Sequence, residues 1–345
     1  MAGLVFIDGF DDAANATDLG LKGWTVSGSM TVTSLTGAST RFTHGRAVRL
    51  TPSLAGDIMS RPLPTAKNRV VLGAAVKLDA LPSGNQDFIL FVSSLGTVQT
   101  KLQVTSGGSV VLLRGTTTVA TSGGALSAGV WNYLEIDCYI DATAGWLKLR
   151  VNESDFVTFS GNTKNDGSSG TILTIRLRGL ASTATTSYDD LYLFDAEGAG
   201  GDQYLGDSRV LTLAPSADSS PSQWTPDTGT DHYSRVSEAT QDGDTSYVQT
   251  ATAGHVDLYA LGNLPVTPTA VHAVQAATTA KVMDAATRTF RNRIKSSATT
   301  ANGASVTMTA SYTAATSLWS TDPATGSAWT VSAVNALEAG FELVT

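Results

Sequence analysis

VWNYLEIDCYID, residues 130–141, alternates so regularly that it sets the reading of everything around it. Successive side chains of a strand point to opposite faces. Leu134, Ile136, Cys138 and Ile140 fall on one face, and Trp131, Tyr133, Glu135, Asp137 and Tyr139 on the other. The next run, WLKLRV (146–151), repeats the pattern: Leu147, Leu149 and Val151 oppose Lys148, Arg150 and Asn152. A loop over 142–145 sets Asp141 opposite Trp146, Asp137 opposite Arg150 and Tyr139 opposite Lys148. Slipping by one residue would drive charges into the core, so the pattern predicts a hairpin in this register.

Similar short runs extend along the chain. RVVLGAAVKL (69–78), DFILFVSS (87–94), TKLQVT (100–105), SVVLLRG (109–115) and TILTIRLRG (171–179) are separated by clusters of Gly, Ser, Asn and Asp. Their number and spacing predict an antiparallel sandwich. After YDDLYLFD (188–195), the small and polar AEGAGGDQ (196–203) reads as a linker. A second set of strands then begins at YLGDSRVLTL (204–213) and ends with FELV (341–344). The fold expected is all-β, with two antiparallel β-sandwich (jelly-roll) domains over 1–195 and 204–345. Almost no convincing amphipathic helix is visible before Thr330, which can cap a short one running to about Glu338, with Gly340 as its stop.

The composition narrows the function. Charged residues make up 15% of the chain, against a usual share of about 25%. The net charge of −8 argues against general attraction to nucleic acid or anionic membranes. Cys138 is the single cysteine, so no intrachain disulfide can form. The histidines at 44, 232, 255 and 272 have no zinc-binding spacing. The N-terminal MAGLVFIDGFDD lacks the basic flank of a signal peptide, and no run approaches the roughly 18 apolar residues of a membrane span. Synthesis and assembly in a cytoplasm are expected.

Glu135 and Asp137 raise the question of catalysis. A retaining glycosidase needs a nucleophile and an acid/base about 5–5.5 Å apart. Laminarinase-type enzymes place them in E-x-D-x-x-E on one strand, but the third position here is Ile140, on the apolar face. The acid/base is missing, so no catalytic residue is assigned. The alternative is a polar face with cross-strand charge pairs, each contributing about 0.2–1 kcal/mol.

Two resemblances cover nearly the whole chain. FIDGFDD, RFTHGRAVRL (41–50), VWNYLEIDCYID with WLKLRVN, and YDDLYLFD follow one another as in concanavalin-like (laminin-G-type) sandwiches. The remainder resembles virion structural proteins of tailed bacteriophages, through YLGDSRVLTLAPSAD, SQWTPDTGTDHYSRVSEATQDGDTSYV, DLYALGNLP and STDPATGSAWTVSAVNALEAGFEL. These imply a virion component of tail, fibre or head-surface type, with other virion proteins and further copies of itself as partners. A host-surface glycan is a further partner such a component can take.

Candidate sites follow. Asp8, Asp11 and Asp12 near the start, and Asp189 and Asp190 in YDDLYLFD, can converge if the first and last strands are neighbours. Concanavalin-like domains often carry a structural calcium, which takes six to eight oxygens; the bland reading is that Asp residues start and stop strands. Trp131, Tyr133, Glu135, Asp137, Tyr139 and Trp146, joined by Trp24, can form an aromatic sugar platform with polar edges; the competing role is packing or a subunit contact. Glu238, Asp242 and Asp244 sit in a turn-like stretch. Arg291, Arg293 and Lys295 share a strand face and are expected to pair with acidic neighbours or protect a sheet edge.

Overall fold

The computed structural model describes residues 3–27, 41, 45–50, 58–165, 169–180 and 185–345. His44 and part of the stretch 41–50 lie outside them. Two compact units meet in sequence between Val210 and Leu211. Both are antiparallel β, and about half of the residues are in strands.

Among its described residues the first unit has fourteen strands: β1 (Gly3–Asp8), β2 (Thr25–Ser27), β3 (Val48–Leu50), β4 (Ile58–Lys67), β5 (Arg69–Leu78), β6 (Gln86–Val92), β7 (Val98–Val104), β8 (Ser109–Arg114), β9 (Thr117–Ala125), β10 (Trp131–Tyr139), β11 (Gly145–Val151), β12 (Ser154–Gly161), β13 (Ile172–Arg178) and β14 (Thr186–Asp195). One sheet runs β1-β14-β5-β10-β11-β12, with β3 also on β14; the other runs β2-β4-β13-β6-β7-β8-β9. First and last strands are neighbours, with Asp8 opposite Leu191. Leu72, Leu134, Ile136, Cys138, Leu147 and Leu149 of the first sheet share one core with Met59, Phe88, Leu102, Leu112, Ile175 and Leu177 of the second. The apolar alternation of 131–140 therefore reads out as expected.

The register of the β10–β11 hairpin differs from expectation by two residues. Glu135, not Asp137, lies opposite Arg150, and Tyr139 pairs with Trp146. Asp141 is the cause. Its Oδ1 accepts from the Thr143 and Ala144 amides, both at 2.8 Å, so it belongs to the turn and not to the strand. A two-residue shift preserves the faces, and alternation alone cannot detect it.

The outer face of the first sheet is also buried over β5 and β10. Nine of the ten residues of β5 are buried, as expected of a strand covered on both sides. The cover is residues 196–210: Tyr204 and Leu205 pack with Ala196 against Val71, Ala75, Tyr133 and Tyr192. The segment expected as a linker is thus part of the first unit, laid across the sheet as a strap. Trp24 does not join that face; it is in the inner core, where its indole donates to Asp8 at 2.8 Å.

A short helix, α1 (Ala16–Leu21), was not expected. Asn15 caps it by accepting from the Thr17 and Asp18 amides. At six residues it is too short to show a helical period, although its cap residue is the preferred kind.

In the second unit, β15 (Pro215–Ser222), β16 (Thr225–Pro226), β17 (Val248–Gln249), β18 (Val256–Leu261), β19 (Val274–Ala280), β20 (Thr289–Ser296), β21 (Thr299–Asn302), β22 (Val306–Thr307), β23 (Thr313–Trp319) and β24 (Glu338–Leu343) follow in order. The main sheet runs β15-β18-β24-β20-β21, with β22 on β20, and β19 pairs with β23. The Asn292 amide, buried in β20, donates to Ala276 O and Ala315 O and so ties this ribbon to the main sheet. Arg291 and Lys295 pair with Glu342 and Glu338 on β24. β20 is an interior strand, so this stripe meets acidic neighbours and guards no edge. Helix α2 (Val331–Asn335) is capped by the Thr330 side chain, as expected, but it ends before Glu338. Gly340 is inside β24, where a Cβ would stand 1.9 Å from Asp257 O. It permits close strand approach and does not stop a helix.

Gly73 gives a test of the covered face. A Cβ there would stand 1.9 Å from the Tyr192 ring. Gly73→Ala is expected to destabilise the first unit by about 1–3 kcal/mol, the usual cost of overpacking, measured by chemical denaturation. An unchanged midpoint would show that the Tyr192 ring does not lie where the fold places it.

Candidate functional site

The strap is held by the two carboxylates that the sequence singles out. Asp137 receives a two-pronged guanidinium: Arg69 Nε at 3.0 Å and Nη2 at 2.7 Å. Arg69 also donates to Ala199 O at 2.7 Å and Gly201 O at 2.9 Å, so one side chain joins sheet to strap. Glu135 Oε1 accepts from the Tyr192 hydroxyl at 2.7 Å and the Gly206 amide at 2.8 Å. Its other oxygen faces Arg150 Nη1 at 3.4 Å. Tyr192 reaches Glu135 because it lies over Gly73, which pairs with both residues across the sheet. Glu135 is 1% exposed and Asp137 0%. The polar face of β10 is therefore a buried polar layer beneath the strap.

The six platform candidates do not form one exposed surface. Tyr133 is buried, its hydroxyl donates to Asp190 O and its ring faces the Arg41 guanidinium. Burial drives that phenol far above its ordinary pKa. Trp131 is half-buried and packs against the cluster of Val71, Ala75, Tyr133, Tyr192 and Ala196, as Leu205 does. Tyr139 and Trp146 are in contact at a tilt of 52°, with centroids 4.6 Å apart, but they stand at the other end of β10, about 27 Å from Trp131 at about 3.4 Å per residue. Cations of Arg69 and Lys148 lie 4.9 and 5.2 Å from the Trp146 ring.

The five Asp candidates are engaged by the protein itself. Lys22 Nζ bridges Asp8 and Asp12 at 2.5 Å each. Burial alone would lower the Lys22 pKa, but the two carboxylates hold it above its ordinary value. Asp190 pairs with Arg41 at 2.7 Å and accepts from the Val210 amide. Asp189 accepts from the Asp190 amide; burial, then the Asp190 charge, push its pKa up. Asp11 accepts from the Arg46 amide; burial pushes its pKa up to about 6. Among the described residues, no three His, Cys, Asp or Glu side chains converge as a cation site. An ammonium and a guanidinium stand where a calcium would have to bind, so the set does not fit the ion.

At the strap's edge the sheet leaves a surface cleft of about 410 Å³, lined by Arg150, Glu153, Asp155, Asp202 and Tyr204. Arg150 lies over the Tyr204 ring, 4.7 Å from its centroid. Of the lining residues only Arg150 was named from the sequence, as a cross-strand charge partner and not as part of a site.

In the second unit, Asp257 is fully buried. One oxygen accepts from the Gln223 and Trp224 amides, and the other from the Tyr259 hydroxyl, 2.7 Å from His232 Nδ1. Ser222 Oγ lies 3.0 Å from that same nitrogen. A hydrolytic relay needs acid and nucleophile on opposite ring nitrogens, so this group anchors loops. Ser246 bonds Glu238 and Asp242, while Asp244 pairs with Lys281.

No family model and no curated protein sequence matches the chain. Solved structures with similar folds include a sialidase (14% identity, TM-score 0.42, 56% of this chain) of which the chain spans 18%. Another is the cellulose-induced protein Cip1 (16%, TM-score 0.44, 57% of this chain and 100% of that one). A third is a carbohydrate esterase from the Shiga toxin-encoding bacteriophage phi24B (12%, TM-score 0.42, 56% and 99%). These likenesses are loose and carry neither substrate nor activity. The role of the carboxylates rests on their geometry, which makes two predictions. Asp137→Ala leaves Arg69 buried and unpaired and is expected to cost about 3–5 kcal/mol by chemical denaturation. An unchanged or raised stability is the signature of a strained functional site and would refute the structural role. Asp11→Asn keeps an acceptor oxygen for Arg46. Because the folded pKa of Asp11 is raised, the contribution of Asp11 to stability falls as pH rises from about 4 to about 6. The variant should therefore melt higher than wild type at pH 7.5, with no difference near pH 4.

Proposed function

We propose that this chain is a non-enzymatic structural component of a tailed-phage particle, displayed on the tail, a fibre or the head surface and assembled as a homo-oligomer. The observation that carries the non-enzymatic part is the roofing of Glu135 and Asp137. Glycoside cleavage needs two carboxyls that substrate can reach. Here one grips a guanidinium, the other a phenol and an amide, and the strap covers both. The virion part rests on the long motifs of the second region, from YLGDSRVLTLAPSAD onward.

A second reading, carbohydrate-binding attachment to a host surface, is favoured by the cleft at the strap's edge. It is compatible with the first, since a displayed structural protein can also bind. Gold-labelled antibody imaging of intact particles tests the virion role: label is expected at one defined head, collar or tail position. Protein found only free in the lysate would overturn that role and bring a soluble lectin forward. Incubation with purified host polysaccharide should release no reducing ends, and release that disappears in Glu135→Gln would make the protein an enzyme.

A further inference from the structure

We propose that the outer edge of β23 joins two copies of this chain, each β23 pairing antiparallel with its counterpart across a two-fold axis. The inference rests on the homo-oligomer part of the proposed function and gives it a surface and a symmetry.

The second unit is described in full, and it treats its sheet edges unequally. A strand edge offers unpaired N–H and C=O groups to any other strand, and chains ordinarily blunt it with charge, proline or bulges. β15, at one edge of the main sheet, carries all three: Asp218, Pro215 and Pro221, and two register shifts against β18. At the other edge, β21 and β22 are short and separated by residues 303–305. β23 has none of these devices. It pairs with β19 alone, over seven residues in unbroken register. It lies within residues 296–321, the longest run of the chain without Asp, Glu, Lys, Arg or His. The ribbon's other strand, β19, runs directly into Lys281.

Asn292 shows which way the β23 backbone points. Its side-chain nitrogen donates to Ala276 O at 3.0 Å and to Ala315 O at 2.9 Å. One nitrogen reaches both strands only if both carbonyls point between them. Alternation then turns the N–H and C=O groups of Ala314, Thr316 and Leu318 outward. Overlap of β23 with its counterpart along its whole length sets Thr316 on the axis and Ala314 opposite Leu318. Each of these pairs is of the hydrogen-bonded kind, and the two ribbons become one four-stranded sheet. The occupant is a second copy because an isologous contact sets a surface against itself. An uncharged edge brings no like charges together there, and it offers no charge to select a different partner. Thr316, the exposed centre of the strand, meets its counterpart as a Thr–Thr pair, a favourable cross-strand combination.

Sedimentation of the full chain is expected to show monomers giving way to dimers as concentration rises. Hydrogen exchange over the same range should slow at the Ala314, Thr316 and Leu318 amides. The Ser317 amide, already inside the β19–β23 ladder, should not change. Thr316→Lys and Thr316→Glu, both at an exposed side chain, should each leave the melting temperature of the monomer unchanged. Each should raise the dimer Kd at least about tenfold, because like charges then face each other across the axis. Mixing the two variants should restore the dimer. An oligomer that ignores both substitutions, or that leaves the three amides unprotected, overturns the inference and leaves the homo-oligomer reading standing. A monomer at every concentration overturns both, while the position of the protein on particles is decided separately by the antibody label.

Discussion

The bidentate contact between Arg69 and Asp137 is the constraint on which the first unit's architecture turns. Neither group can be left alone where it lies. Each ion carries a desolvation cost of several kcal/mol that only a partner with good geometry offsets, and the planar guanidinium fork matches a carboxylate. With both prongs on Asp137, Arg69 still has N–H groups to satisfy. They go to Ala199 O and Gly201 O, which lie on the strap. One buried ion pair thereby dictates where a Gly-rich segment of little intrinsic structure must run. The Tyr192–Glu135 bond repeats the logic two residues away on the same face of β10, drawing in Gly206.

The second unit meets a similar problem in a similar way. Asp257, with no exposure, collects two loop amides, a phenol and a histidine. Charge-assisted bonds of this kind are about twice as strong as neutral ones. In a chain with one cysteine, buried carboxylates fix loops onto sheets where a disulfide cannot. They also impose a functional consequence. A carboxylate buried against its own chain, as Glu135 and Asp137 are, is not offered to substrate.

The candidate site was only partly legible beforehand, and particular residues show why. Glu135 and Asp137 stood out because charge on an alternating strand is visible as pattern. Their partners did not: Arg69 is 68 residues from Asp137 and Tyr192 is 57 from Glu135. Gly73 reads as a weak point in a strand until a ring is seen lying over it. AEGAGGDQ has the composition of a linker, and composition reports local stiffness, not what a segment packs against. The aromatic residues of β10 share a face by alternation, yet Trp131 and Tyr139 are too far apart to act on one ligand.

The sequence by itself determined the all-β class, the sorting of side chains between the two faces of each strand, and the Thr330 cap. These depend on backbone period and on neighbours within a few residues, which the chain carries locally. Tertiary structure alone decided the hairpin register, the burial of the polar face, and the engagement of the Asp cluster by Lys22 and Arg41. Those outcomes depend on which distant groups meet, and on the need of every buried charge for a partner. That need is read only once the fold has brought the partners together.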